Sequence, residues 1–384
     1  MPRQVFPGSC WGEANDLPLS IMTRSWAING RFLTQPVTGV QRYAREIVLA
    51  LDAHLADRHP LARDLNIELL APLGSTPPPL RAIKARAVGG QAGHAWEQAV
   101  LPRYTRGGLL SLCNTGPMLT RKQIVCIHDA NTRECPASYS RAFRALYRTL
   151  LPALGVTARK IATVSQHSAD QLVAYGIAKR RKIIVAPDGY EHALRWTPKH
   201  SAATRAAAGP GTIVLIGSLA PHKNVQLIVG IADRLAAKGM KVAMAGLADS
   251  RVFAASQPAA VSSNIVWLGR LSDDELAALL EDSLCLAFPS LAEGFGLPVV
   301  EAMALGCPVV VSNRASLPEI CGDAALYASP VDPDAWLDSF ARLHDDAILR
   351  QELVLRGKSR AALFSWTRSA EIYLEAMAQI DGVS

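Results

Sequence analysis

Short β-rich runs alternate with helix-length segments along almost the whole chain, and that alternation leaves few folds open. Strand patterns fall at Trp26–Asn29, Ile124–Ile127, Ile161–Val164, Ile183–Val185, Ile213–Ile216, Lys241–Ala245, Ile265–Leu268, Leu284–Phe288 and Val309–Ser312. Helical patterns fall at Val40–Leu55, Ser168–Tyr175, Gln226–Lys238, Asp273–Glu281 and Pro298–Leu305. Strands separated by helices join through right-handed crossovers, so the fold class is α/β with parallel, doubly wound sheets. At 384 residues the chain is long enough for two such units. The stretch RWTPKHSAATRAAAGPG, 195–211, has no long apolar run and precedes a fresh strand. It reads as the junction between them. The expected division is an extension over 1–24, a Rossmann-like domain over 25–195, a linker over 196–211, a second Rossmann-like domain over 212–365 and a terminal helix over 366–384. Two such sheets would face a cleft, and sheets of this kind bind ligands at the carboxyl ends of their strands.

Several function classes fall away. No run of about 18 apolar residues offers a membrane-spanning helix. The first twenty residues, broken by Pro2, Pro7, Glu13, Asp16 and Pro18, lack the apolar stretch of a secretory signal. The expected compartment is therefore the cytoplasm. Seven scattered cysteines without a C-x-x-C pair read as buried thiols, not as a disulfide framework or a zinc site. No G-x-x-x-x-G-K-[ST] or G-x-G-x-x-G is present, which argues against a P-loop NTPase and a dinucleotide dehydrogenase. Asp332 and Asp334 form a D-x-D before a helical pattern, where helix capping is preferred over metal binding. No metal or cofactor is expected.

The charge is lopsided. Residues 1–195 carry 25 Lys+Arg against 13 Asp+Glu, and residues 196–384 carry 15 against 20. A basic first half suits an anionic partner: a membrane surface, a phosphorylated acceptor or nucleic acid. No zinc-finger, helix-turn-helix or RNA-recognition pattern accompanies it, so nucleic acid is not expected. Residues 141–154, RAFRALYRTLLPAL, place an apolar stripe on one helical face and Arg141, Arg144 and Arg148 on another. That stripe suits the core, with peripheral membrane contact as the alternative. Pro152 is expected to kink or end the helix.

The densest chemistry lies in 284–312, LCLAFPSLAEGFGLPVVEAMALGCPVVVS. It reads as strand, glycine loop, helix, glycine stop and strand: Pro298 suits the first helical turn and Gly306 the position just past the end. Gly294 and Gly296 let backbone amides approach a ligand, and the helix N-terminus beside them favours an anion such as a diphosphate. Glu293 and Glu301 flank that place. Carboxylates would repel the phosphate, so their expected partners are hydroxyls. A sugar and a ribose joined through a diphosphate would satisfy all of these groups.

E-x7-E within EGFGLPVVEAMALGCPVV resembles the motif of the retaining family 4 glycosyltransferases with the GT-B fold. SSNIVWLGRLSDDELAALL before it and SNRASLPEICGDAALY after it carry the resemblance across almost all of the second half. The resemblance implies that Glu293 binds donor-sugar hydroxyls and Glu301 the ribose. It places the backbone of Gly294, Phe295 and Gly296 on the sugar, and that of Leu297 and Pro298 on the diphosphate. IGSLAPHKN (216–224) resembles the family's V-G-R-L-x-x-x-K loop, which puts Lys223 on the diphosphate. The family arginine is Ser218 here, and His222 precedes the lysine, as in a subgroup resembling mannosyl- and rhamnosyltransferases of surface-polysaccharide assembly. In the first half, TGVQRYAREI (38–47) resembles the family's glycine loop, with the Gly39 amide near the diphosphate and Arg42 and Tyr43 toward the cleft. VCIHDA (125–130) resembles its H-D pair, with His128 and Asp129 near the reacting sugar. HAWEQAVLP (94–102) and CNTGP (113–117) also resemble the subgroup, without a chemical role for Trp96, Glu97 or Asn114. Ser165 in TVSQHSADQL reads as a helix cap, Asp188 stands where the family has Asn, and FSWTRSAEIYLEAM (364–377) resembles the helix that crosses back to the first domain, anchored by Trp366.

The activity implied is metal-independent, retaining hexosyl transfer, best matched to GDP-mannose, onto a glycan acceptor linked to a lipid diphosphate. Lys223, the helix dipole and the loop amides would stabilise the leaving diphosphate. A non-catalytic sugar-nucleotide binder and a GT-B nucleotide-sugar epimerase are the alternatives.

Overall fold

The computed structural model describes residues 24–246 and 262–383. The expected N-terminal extension and Cys10 lie almost wholly or wholly outside them. The first sheet contains β1 (Arg24–Asn29), β2 (Leu65–Ala71), β3 (Lys84–Ala87), β4 (Gly108–Ser111), β5 (Gln123–Cys126), β6 (Lys160–Thr163) and β7 (Ile183–Val185). They lie in the order β3-β2-β1-β4-β5-β6-β7, every pair parallel. The second contains β8 (Gly209–Ile216), β9 (Lys241–Ala245), β10 (Ile265–Gly269), β11 (Ser283–Phe288), β12 (Val309–Ser312) and β13 (Leu326–Ala328). Their order is β10-β9-β8-β11-β12-β13, again parallel throughout. Central strands covered by helices on both faces are buried at every residue, as in QIVC of β5 and VVVS of β12. The strand order reverses between β1 and β4 and between β8 and β11. A crevice opens at each such switch point, and the loops after these strands are where a ligand is held.

Three local expectations are corrected. Pro152 does not end its helix, which runs from Arg141 to Thr157. Proline lacks the N–H that would bind the carbonyl of Arg148, and the guanidinium of Arg133 supplies that donor instead, at 3.0 Å. The single helix expected over 226–238 is two short ones, Val225–Val229 and Ala232–Ala236, interrupted at Gly230. Within the expected linker, Ala202–Ala207 is helical and β8 already begins at Gly209, which pairs with Ser283.

The last helix, Trp366–Asp381, packs along Gly39–Ala56, the first helix of the first domain. Its far end is tied to β1: Asp381 accepts from Arg24 Nε and Trp26 Nε1, each at 2.9 Å. Near its middle, the hydroxyls of Tyr43 and Tyr373 meet at 2.8 Å. The segment therefore belongs physically to the first domain while entering it from the second. Among the described residues, no helix is long and apolar enough to cross a membrane.

Candidate donor site

The loop after β11 is fastened by its carbonyls. Ser165 Oγ and Ser168 Oγ, from the first domain, donate to the carbonyl of Gly294 at 2.6 and 3.1 Å. Ser316 Oγ donates to those of Glu293 and Phe295 at 3.1 and 3.0 Å. The side chains of Phe295 and Leu297 are buried, Phe295 lying edge-on to Phe364 at 5.3 Å. They anchor the loop, so only its backbone is available to a ligand. Among the described residues, the N–H groups of Gly294, Phe295, Gly296 and Leu297 find no acceptor. They stand at the start of the Leu297–Ala304 helix, with Pro298 in its first turn, where the peptide dipoles favour an anion. Gly296 has φ +100°, a conformation that L side chains rarely adopt. A Cβ on Gly294 would lie 2.6 Å from the carbonyl of His128. Glycine is needed there for the two domains to meet.

Each flanking carboxylate has a defined partner. Lys223 Nζ donates to Glu293 Oε1 at 2.6 Å and lies 5.3 Å from the centre of the Phe288 ring. Glu301, buried on the helix that Pro298 opens, has His192 Nε2 at 2.8 Å and Arg42 Nε at 3.8 Å from Oε1. Asp188 lies buried nearby, its Oδ1 without a partner among the described residues. Burial, then the charge of Glu301, push its carboxyl well above the usual carboxylate range.

Across the cleft, His128 follows β5. Its Nε2 donates to the carbonyl of Leu112 at 2.9 Å, and Asn114 Oδ1 accepts its backbone N–H at 2.8 Å. Burial lowers the imidazole to about 4, so the ring is neutral near pH 7 with Nδ1 as its acceptor. Asp129 is pushed up to about 6 by burial and, more weakly, by Glu293. Gly39 opens the first helix and is exposed, with open space where a Cβ would project. Arg42 reaches Asp273 at 2.6 Å and covers the Trp196 ring, 5.4 Å from its centre. Tyr43 is fully buried, its ring edge-on to His128 with centroids 4.7 Å apart.

Ser218 follows β8 and makes no side-chain hydrogen bond among the described residues. His222 is buried, its ring stacked on Tyr139 with centroids 6.0 Å apart, and its backbone N–H donates to Ser138 Oγ at 3.1 Å. Burial and then Lys223 lower it to about 4. It is uncharged near neutral pH.

The sequence pattern leaves other contributors unassigned. His192, Ser168 and Glu319, which accepts the N–H groups of Gln166 and His167 at 2.8 Å each, join the domains around the site. A separate polar cluster lies at the carboxyl ends of β1 and β4. Fully buried Glu97 accepts from Asn29 Nδ2 at 2.7 Å, Arg31 Nε at 3.0 Å and Thr115 Oγ1 at 2.8 Å. Arg31 Nη2 also donates to Thr115 Oγ1 at 2.7 Å. Burial opposes the Glu97 charge, but the bonds from His94, Arg31, Asn29 and Thr115 hold the carboxyl below its usual value.

Residues 197–360 match the family described as glycosyl transferases group 1. The O-antigen chain mannosyltransferase B of Escherichia coli is 28% identical over 268 residues, 65% of this chain and 68% of that one. The MMP alpha-(1->4)-mannosyltransferase of Mycolicibacterium hassiacum is 40% identical over 118 residues, 29% of each chain. The solved sucrose-phosphate synthase of Thermosynechococcus elongatus superposes with a TM-score of 0.67 at 17% identity, over 94% of this chain and 100% of that one. The architecture is the GT-B fold of glycosyltransferases.

Proposed function

We propose that the chain is a retaining glycosyltransferase that moves a hexose, best read as mannose from GDP-mannose, onto a growing, lipid-linked surface-polysaccharide acceptor. The observation that carries this reading is the set of loop N–H groups, Gly294 to Leu297, open at a helix N-terminus between Glu293 and Glu301. An anion bordered by hydroxyls fits that arrangement, and a nucleotide sugar has that chemistry. The family match and the names of the relatives support glycosyl transfer, and mannose in particular.

In this reading residues 212–365 hold the donor, residues 25–195 receive the acceptor and the 366–384 segment braces them. Lys223 keeps one N–H on Glu293 and turns the others to the diphosphate. The amides of Leu297 and Gly39 share that load, while Glu293 and the backbone of Gly294, Phe295 and Gly296 hold the sugar. Glu301 takes the ribose hydroxyls, and neutral His128 offers Nδ1 to a sugar hydroxyl. The acceptor oxygen attacks the anomeric carbon from the face that the diphosphate leaves. The carbon–phosphate-oxygen bond breaks, and a phosphate oxygen takes the acceptor's proton. Preorganised donors supply the charge stabilisation, so no metal is required. The basic first domain suits an acceptor on a lipid diphosphate and contact with an anionic membrane face.

Thermal unfolding with GDP, UDP and dTDP, on the wild type and Glu301→Ala, tests the donor site. A nucleotide at 100 times its Kd adds about 2.7 kcal/mol, a shift expected with GDP and lost in the variant. Incubation with GDP-mannose and NMR of the product's anomeric proton then tests transfer and retention. Ser218 and uncharged His222 favour one competing reading, a binder without turnover. Nucleotide binding with no transfer to any lipid-linked glycan would select it.

A further inference from the structure

Glu301 is aimed by a hydrogen-bond relay that begins on the terminal helix. The indole of Trp366 can only donate, and its Nε1 lies 3.0 Å from His192 Nδ1. His192 Nδ1 is therefore an acceptor, the ring proton sits on Nε2, and Nε2 donates it to Glu301 Oε1 at 2.8 Å. Every part of the relay is fixed. His192 is 1% exposed and lies edge-on to Trp196. The Trp366 backbone N–H is held by both oxygens of Glu191 at 3.1 Å, and its ring lies edge-on to Tyr43. A Cβ on Gly189 would come within 2.7 Å of Trp366 Cγ, so the chain beside the indole leaves it no room to shift.

We infer that Trp366 and His192 are positioning residues for the donor site, and that they make nucleotide binding depend on the terminal helix being docked. This rests on the reading of Glu301 as the ribose carboxylate. One oxygen, Oε1, is occupied by His192 and approached by Arg42 at 3.8 Å. That fixes the carboxylate plane and leaves Oε2 to accept from a ligand. Arg42 comes from the first helix, His192 from the segment after β7 and Trp366 from the terminal helix. Three elements packed together on the first domain thus converge on one side chain of the second. A carboxylate free to rotate would lose entropy on binding, and the relay removes that cost in advance.

The test measures GDP affinity by titration calorimetry, with UDP in parallel, alongside melting temperature. The variants are Trp366→Phe, His192→Ala, His192→Gln and Glu301→Ala. Trp366→Phe keeps a ring and removes only the N–H donor; it is expected to weaken nucleotide binding about threefold, as loss of one indirect neutral hydrogen bond implies. His192→Ala is expected to weaken it about tenfold or more, with the acceptor KM unchanged. His192→Gln, which can present an amide N–H in place of Nε2, is expected to recover most of that loss. If Glu301→Ala weakens binding while Trp366→Phe and His192→Ala lower only the melting temperature, the relay is purely structural and the inference is overturned. If Glu301→Ala binds as the wild type does, the ribose reading itself falls, and the relay with it.

Discussion

Two polar clusters lie at strand ends of this molecule, and they are built in opposite ways. Around Glu97 in the first domain every group is already satisfied: Asn29, Arg31, Thr115 and His94 all turn onto one buried carboxylate. Around Glu293 the loop carbonyls are fastened while its N–H groups stay open, and the Lys223 side chain remains partly accessible. A closed network holds shape, and an open one at a helix end has donors left for a ligand. Removing a member of the first is expected to damage folding. Removing a member of the second is expected to damage donor chemistry.

The largest effect expected is for Glu97→Ala, which leaves the Arg31 guanidinium buried without its partner. Breaking such a pair costs about 3–5 kcal/mol. The lowest unfolding transition in calorimetry should fall accordingly, while the protein that remains folded binds nucleotide as before. Lys223→Ala is the mirror case. Losing one preorganised donor to the leaving group should cost about 2.7–4 kcal/mol in barrier, a factor of 10²–10³ in kcat. Lys223 is partly exposed but Glu293 is buried, so the variant also leaves a carboxylate unpaired, and stability should fall too, by less than for Glu97→Ala. A Lys223→Ala protein that melts early yet turns over normally would erase the distinction between the clusters.

The same contrast explains what could be read from the sequence. Glu293, Gly294, Gly296, Pro298 and Glu301 fall within nine consecutive residues, and strand–loop–helix geometry converts that spacing directly into a site. Alternating apolar runs likewise marked nine of the thirteen described strands but not β2, β3, β4 or β13, and β7, β9 and β12 begin and end where the sequence pattern puts them. The Glu97 cluster joins residues 29, 31, 97 and 115, and no local pattern links them. Glu97 itself lies in a π-helical turn, Trp96–Val100, a backbone irregularity with no composition of its own. β3, KARA, is exposed at every residue and carries no apolar signal; it is an edge strand held by backbone pairing and the Arg86–Glu68 ion pair. His192 lies four residues after Asp188, but its role arises from Trp366, 174 residues away in sequence.

The next effect is pH-dependent and touches the seam between the regions. His128 and His222 both have folded-state values near 4, below the ordinary 6.5, because burial disfavours their charged forms. A depressed histidine contributes stability that is present above pH 6.5 and lost as the pH falls toward 4. At about 1.4 kcal/mol per pH unit, each could contribute a few kcal/mol over that window. His222→Phe preserves a ring against Tyr139 and cannot titrate. Its melting temperature should decline less than that of the wild type between pH 6.5 and 4.5. An unchanged decline would mean that other groups drive acid unfolding.

The smallest effect on stability, and the sharpest on assignment, is expected at Gly39. It belongs to the first domain by sequence but to the donor side by its proposed contact with the diphosphate. Nothing lies within 4 Å of a Cβ placed there, whereas a Cβ on Gly294 would meet the His128 carbonyl at 2.6 Å. Gly39→Ala should therefore leave the melting temperature within about 0.5 kcal/mol equivalent of the wild type, or raise it slightly. A diphosphate seated against the Gly39 amide would meet the added methyl, so GDP affinity should drop several-fold in calorimetry without loss of fold. Gly294→Ala should lose stability and affinity together, because its methyl strikes the other domain whether or not donor is bound. If Gly39→Ala binds GDP normally, the first domain contributes no backbone at this point to the donor. Contact across the cleft would then rest on Arg42, His128 and the serines that hold the Gly294 carbonyl.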